Sequence, residues 1–385
     1  MIKFALRQNL KYPLQALLWN VLRDIESILI SHFLNVSDLA INCPLMFLGE
    51  LLAGSIIYLY QKQLFSQNQN VMPTEYMHIK LIHTEQIFIK DSDIKILFLM
   101  FSGALCDFVE FKLFDCVYRY PNISGSIENR LRGWYTIFNA LFYIFILGYP
   151  ILTHQKFSLI VIGICIILVV LFEFIFQEIN IFLSYGDLAL AYFFVVNIHF
   201  YSALLDSIGK YLFEYNKINP FFELMFGGLF GFLISCLYCI FYSPFDEISK
   251  FRKSHSTSDF IVLIFSLFLY CFLSGGKNCF RVLTTKIFSP MTTTCMEYIF
   301  NPFYMIYYFV AGIDFIPYGQ RNYLYFIINL IITFIVSFCG CVYNEFIILF
   351  FCGLEKDTHD QVVKRAIKEK ELDNLDVEAD DITMI

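Results

Sequence analysis

Apolar runs of about 20 residues recur along the chain with short polar connections between them, and that is the length a helix needs to cross a bilayer. Ten such segments are predicted, at 14–34, 39–61, 94–117, 132–152, 157–177, 186–213, 219–243, 259–283, 289–313 and 323–351. The first is the poorest, because it carries Arg23, Asp24 and Glu26. One long polar stretch breaks the rhythm, residues 62–93, which holds His78 and His83. The expected fold is an all-α membrane protein. Residues 1–13 precede its single membrane domain, and a charged tail follows at 355–385, acid-rich toward its end and expected to be disordered there.

The pattern also repeats. Ile41 opens the run INCPLMFLGELLAG and Ile218 opens INPFFELMFGGLFG, each with a Pro close behind the Asn and a Gly-rich stretch after Leu-Met-Phe. Leu45-Met46-Phe47 stands 179 positions before Leu224-Met225-Phe226, and Ser102-Gly103 stands 172 before Ser274-Gly275. Offsets close to half the chain divide it into two related units, 14–178 and 186–351. Five helices per unit is an odd number, which forces the second copy to insert upside down.

Composition strengthens the membrane reading. The mean hydropathy is +0.62, with 58% hydrophobic and 16% charged residues over 385 positions. The net charge of −7 lies mostly in the tail, where ten acids face five bases from Glu355 onward. No basic face accumulates, so nucleic acid is not an expected partner. Lys3, Arg7 and Lys11 lead into a long first segment with no small-residue cleavage site, so no cleavable leader is expected. The Lys/Arg bias of the connections puts both termini in the cytosol, together with loop 62–93. Two sequons, Asn35-Val-Ser37 and Asn122-Ile-Ser124, then fall on the far side, close to the membrane. The twelve Cys show no metal-ligand spacing, and small residues packed between helices account for them. No cofactor is expected.

Ten helices in two halves, with GDLALAYFF opening the second, resemble the drug/metabolite transporter superfamily of EamA-like and solute carrier family 35-like proteins. Gly186-Asp187-Leu188 matches the start of that family's second repeat, and Leu212 to Gly231 matches its next turn and helix. Phe288-Ser289-Pro290-Met291-Thr292 resembles the opening of its ninth helix, and YNEFIILFFCGLEKDT the end of its tenth. The resemblance implies a central cavity, alternating access, and an endomembrane location (Golgi, ER or vesicular) ahead of the plasma membrane. Triose-phosphate-type members carry basic residues early in the ninth helix, where this chain has Glu297, a departure that tells against phosphate-bearing solutes, nucleotide sugars among them.

Charges inside spanning helices cost about 2.5–3.5 kcal/mol each on insertion scales, so they usually face the bundle interior or water. The densest group is Lys277, Asn278 and Arg281, followed by Thr292, Thr293, Thr294 and Glu297. Lys277 and Arg281 share a helix face, which suits an anionic or zwitterionic solute, with Glu297 pairing one of them when the site is empty. Snorkelling at a helix end is the plainer account. Asp107 and Glu110 occupy the corresponding third helix and are candidates for gating, or for a fixed bridge. Asp206 and Lys210 form an i,i+4 pair sufficient to neutralise itself. Glu50 is the least easily paired acid and a candidate for proton coupling, against a polar packing contact. Glu173 and Glu345 lie near helix ends and are expected at the interface. Gly227-x-x-x-Gly231 permits close helix approach, within one bundle or in a homodimer.

No hydrolase, zinc-protease, phosphate-loop or aminoalcohol-transferase pattern is present, so an enzyme is not expected. The leading expectation is a secondary transporter of a small polar organic solute, with the lipid bilayer as its other partner. A non-transporting scaffold of the same fold is the alternative.

Overall fold

A computed structural model describes residues 2–4, most of 14–26, 41–67, 93–118, 127–177, 185–241, 244–287, 292, most of 301–310, 323–349 and isolated positions from 353 to 365. The described part is almost entirely helical: α1 (Asn42–Gln67), α2 (Asp93–Tyr118), α3 (Ile127–Leu131), α4 (Gly133–Phe145), α5 (Thr153–Gln177), α6 (Tyr185–Glu214), α7 (Pro220–Phe241), α8 (Pro244–Ser254), α9 (Thr257–Ile287) and α10 (Tyr323–Tyr343). Described residues among 14–26 and 301–310 are helical as well. Six of these helices are long and apolar enough to cross a membrane, namely α1, α5, α6, α7, α9 and α10. The protein is multi-pass in architecture.

Local chemistry sets the helix ends. Asn219 caps α7, its Oδ1 accepting the Phe221 N–H at 2.9 Å, with Pro220 pre-set in the first helical position. Ser256 and Asp259 form a reciprocal capping box at the start of α9: the Asp259 N–H reaches Ser256 Oγ at 3.2 Å, and the Ser256 N–H reaches Asp259 Oδ2 at 3.2 Å. α4 stops because Gly148 turns left-handed at φ 68, which lets the Tyr149 N–H bond back to the Tyr143 carbonyl at 3.1 Å. Lys217 does the same for α6 at φ 53 without glycine's freedom.

Several predicted boundaries shift. The fourth predicted segment, 132–152, is two pieces, because α4 is only 13 residues long and ends before the Gly148 turn. The tenth stops at Tyr343, not 351: Glu345 is left-handed at φ 59 and the chain leaves as a strand, Ile347–Leu349 (β2). That strand pairs antiparallel with Ile2–Phe4 (β1). Residues read as a polar connection form α8, whose Phe251 is buried against Leu263 and Leu267 of α9. Its charges made it look like loop. α1 runs on to Gln67, and α2, though 26 residues long, carries six charged side chains. The sequons, His78, His83 and the tail beyond 365 lie outside the described residues.

The packing has two centres. An aliphatic cluster joins α5, α10 and the first half of α6 through Ile162, Val169, Ala191, Val195, Ile198 and Val336. A second, glycine-mediated crossing joins α1, α7 and α9. A Cβ on Gly49 would lie 2.1 Å from the Cys271 carbonyl oxygen; one on Gly228 would lie 2.5 Å from the Leu51 nitrogen; and one on Gly231 would strike the Phe47 ring at 2.2 Å. The backbones touch there, as small residues permit in membrane bundles. Of the Gly227–Gly231 pair, Gly231 serves a contact within this bundle, whereas a Cβ on Gly227 would meet only Glu223 of its own helix, at 4.0 Å.

Candidate functional site

Where α1, α2, α6, α7 and α9 converge, they leave a recess with about 540 Å³ of empty space, part of it open. α1 contributes Phe47 and Glu50, α2 Asp107, α6 Asp206 and Phe213, α7 Glu223, and α9 Asn278, Arg281 and Thr285. The glycine contacts explain why these residues meet. α1 is held against both α7 and α9, so Glu50 sits at the level of Gly228 and one turn from Gly275. Its recess-facing carboxylate then accepts a hydrogen bond from Asn278 Nδ2.

Arg281 binds Asp206 through two nitrogens, with Nη2 at 2.9 Å and Nε at 3.1 Å from the same Oδ1. The Tyr135 hydroxyl of α4 donates to the other Asp206 oxygen. Asp206 is therefore fully engaged, by a cation and a phenol from two different helices. The side chains of Asp107 and Glu223 make no hydrogen bond or ion pair among the described residues. Asn278 is buried, and its Oδ1 has no hydrogen-bond partner. So is one Glu110 oxygen, just outside the recess.

The sequence-predicted residues divide accordingly. Asn278, Arg281, Glu50, Asp107 and Asp206 come together. Lys277 is half-buried and does not line the recess, though its charge bears on Asp107 and Glu110. Lys210 corrects the expected Asp206 pair: it turns one helical step the other way to Glu214 Oε1 at 2.9 Å and donates to the Lys286 carbonyl at 3.1 Å. The stronger Arg281 fork takes Asp206 instead. Thr292 is buried away from the recess, its hydroxyl 3.5 Å from Asn344 Oδ1. Thr293, Thr294 and Glu297 lie outside the described residues, and so does the side chain of Glu173. Glu345, expected at the interface, is buried with an oxygen 3.5 Å from His154 Nε2, because the left-handed turn folds it inward.

Glu223, Tyr135 and Phe213 were missed in the sequence. Glu223 left a signal, an acid immediately before the repeated Leu224-Met225-Phe226. Tyr135 left none, being one aromatic among 25 tyrosines.

Among the described residues the recess therefore carries four carboxylates to one guanidinium, a different balance from the basic pair that the sequence brings forward. Among the described residues, no group of three or more His, Cys, Asp or Glu could hold a metal ion, and the ten described cysteines are free. The chain matches no protein-family model and no curated protein.

Proposed function

We propose that the protein is a secondary transporter of a small polar organic solute, built from two inverted five-helix repeats and working by alternating access. The observation that carries this reading is the recess itself: five helices surround a space lined by ionisable side chains inside an apolar bundle. A scaffold needs no such space, and keeping charges there is expensive.

The pattern of helix contacts supports the inverted repeat. α1 and α7 run antiparallel, since Phe47 meets Gly231, Leu51 meets Gly228 and Gly54 meets Met225. A twofold operation exchanging the halves at an offset of 179 maps that crossing onto itself, with its centre at Glu50 beside Gly228. The same operation turns the contact of α1 with α9 into that of α2 with α7, and both are extensive. It also maps the α5–α10 contact onto itself, and those helices run antiparallel: His154 meets Glu345 at one end, and Val169 clusters with Ile332 and Val336 at the other.

Among the described residues, the lining runs from one end of the bundle into its depth. Phe213, Glu223 and Thr285 lie within about a turn of the α6–α7 turn or the C-terminal end of α9. Phe47, at the deep end, joins an aromatic cluster with Phe108, Phe111, Phe232 and Tyr270. A bundle open at one end and sealed by packed rings at the other has the form of one state of an alternating-access carrier. The β1–β2 pairing sets the N-terminus beside the exit of α10, in keeping with both termini on one side. Endomembrane placement follows the resemblance alone.

Uptake of a panel of labelled anionic, cationic and neutral metabolites into liposomes holding purified protein tests the reading. Saturable uptake of at least one solute above protein-free liposomes is expected. Uptake of none by folded protein would favour the scaffold.

A further inference from the structure

Resting on that transport reading, we propose that the recess binds an organic cation, a protonated amine on an apolar body, and not the anion that Lys277 and Arg281 suggest in the sequence. Charge comes first. Among the described residues, Glu50, Asp107, Asp206 and Glu223 line the space against Arg281. Adding the neighbours that act on Asp107 and Glu110 brings in Lys277 and Arg23 on the positive side and Glu110 on the negative. Acids still outnumber bases five to three.

Engagement sharpens the contrast. Among the described lining residues the one cation, Arg281, is already bound to Asp206 through two of its nitrogens, so little of its charge is left for an anion. The acceptors left unengaged are the carboxylates of Asp107 and Glu223 and the buried Asn278 Oδ1, which has no partner. An unmet buried acceptor needs a donor, and an ammonium brings three. Phe47, Phe213, Leu224 and Val282 offer apolar wall for the rest of the molecule. Carboxylates left uncompensated in a low-dielectric space are costly. A bound ammonium offsets that cost, whereas an anion would add to it.

The test uses the full chain in nanodiscs, with phenethylammonium and the similarly shaped 3-phenylpropionate as probes in calorimetric titrations, against empty nanodiscs. Phenethylammonium should bind, and Asp107→Asn and Glu223→Gln should each weaken it about tenfold or more, the loss of one charge-assisted contact. Binding of 3-phenylpropionate in its place, binding of neither ion, or amine binding indifferent to both substitutions would overturn the proposal. Labelling of the unaltered chain with dicyclohexylcarbodiimide, read by peptide mass spectrometry, keeps the test open where a variant does not fold. The amine should slow modification of Asp107 or Glu223, and rates it leaves unchanged count against the site. The liposome panel separates the two readings: uptake of an anion alone keeps the carrier and removes the cation, whereas uptake of nothing removes the carrier.

Discussion

Helix α6 runs from the aliphatic packing centre into the recess, and its two halves differ. The first half places Leu188, Ala191, Val195 and Ile198 in the aliphatic cluster with α5 and α10. The second half presents Asp206, Gly209 and Phe213 to the recess and sends Lys210 to Glu214. In a bilayer, lipid is as apolar as leucine, so burying aliphatic side chains between helices gains little from water. The first half is held by van der Waals packing spread over many contacts. The second depends on a few polar pairs and on glycines that bring backbones together. The first region should therefore tolerate substitution and the second should not.

The largest effect should come from removing the Asp206 counter-ion. Arg281→Met takes the bound guanidinium away from the buried Asp206 carboxylate, at a cost of about 3–5 kcal/mol. The pairing of Arg281→Met with Asp206→Leu should recover most of that loss. Thermal melts of the purified protein in detergent provide the check. A double variant as unstable as the single one would mean that the ion pair is not what holds α6 to α9.

Next in size is Gly49→Ala. Its new Cβ would lie 2.1 Å from the Cys271 carbonyl oxygen, a backbone atom that cannot rotate away, so about 1–3 kcal/mol or more of overpacking is expected. The matched change in the aliphatic region is Gly163→Ala on α5, where a Cβ meets nothing within 4 Å. There the sign should reverse, with a gain of about 0.5–1 kcal/mol from helix propensity. Equal melting temperatures for the two variants would erase the distinction between the regions. In the same region, Ile162→Val removes one methylene from a fully buried side chain, and about 0.5–1.5 kcal/mol should be lost.

The same contrast explains what could be read from the sequence. Helix positions were legible because apolar runs of bilayer length have few other uses. α8 was not, since PFDEISKFRKS buries a single stripe headed by Phe251 and otherwise reads as a charged loop. Arg281, Asn278, Glu50, Asp107 and Asp206 stood out singly, as polar residues in apolar segments. Their pairing did not. Which base meets Asp206 depends on how close α6 comes to α9, and that is set by packing between helices far apart in sequence. Sequence spacing favoured Lys210, four residues away, over Arg281, 75 away. The balance of the recess was hidden for the same reason, because Glu223 joins it only through the α1–α7 crossing.

The smallest effect is expected at the seam between the two regions. The turn after α4 is clasped to the end of α6 in two places: Tyr149 donates to Glu214, and the Tyr215 hydroxyl donates to the Leu147 carbonyl at 2.6 Å. Glu214, held also by Lys210, pushes the Tyr149 phenol up to about 12, because a phenolate beside that carboxylate would lose the hydrogen bond and face its charge. A phenol raised above its unfolded value adds stability below about pH 10. That contribution fades as pH climbs from there through about 12, while the unfolded phenol ionises and the folded one does not. Tyr149 is well exposed, so solvent screening and the modest worth of one hydrogen bond keep the effect under about 1 kcal/mol. Tyr149→Phe should lower the melting temperature slightly at pH 8 and flatten this part of the decline between pH 10 and 12. If the seam must open for the recess to change sides, the same substitution should also speed solute exchange in liposomes, since one of its two clasps is gone. An unchanged alkaline profile would show that Glu214 serves Lys210 alone, and the two regions would then be joined at this end by the Tyr215 hydrogen bond.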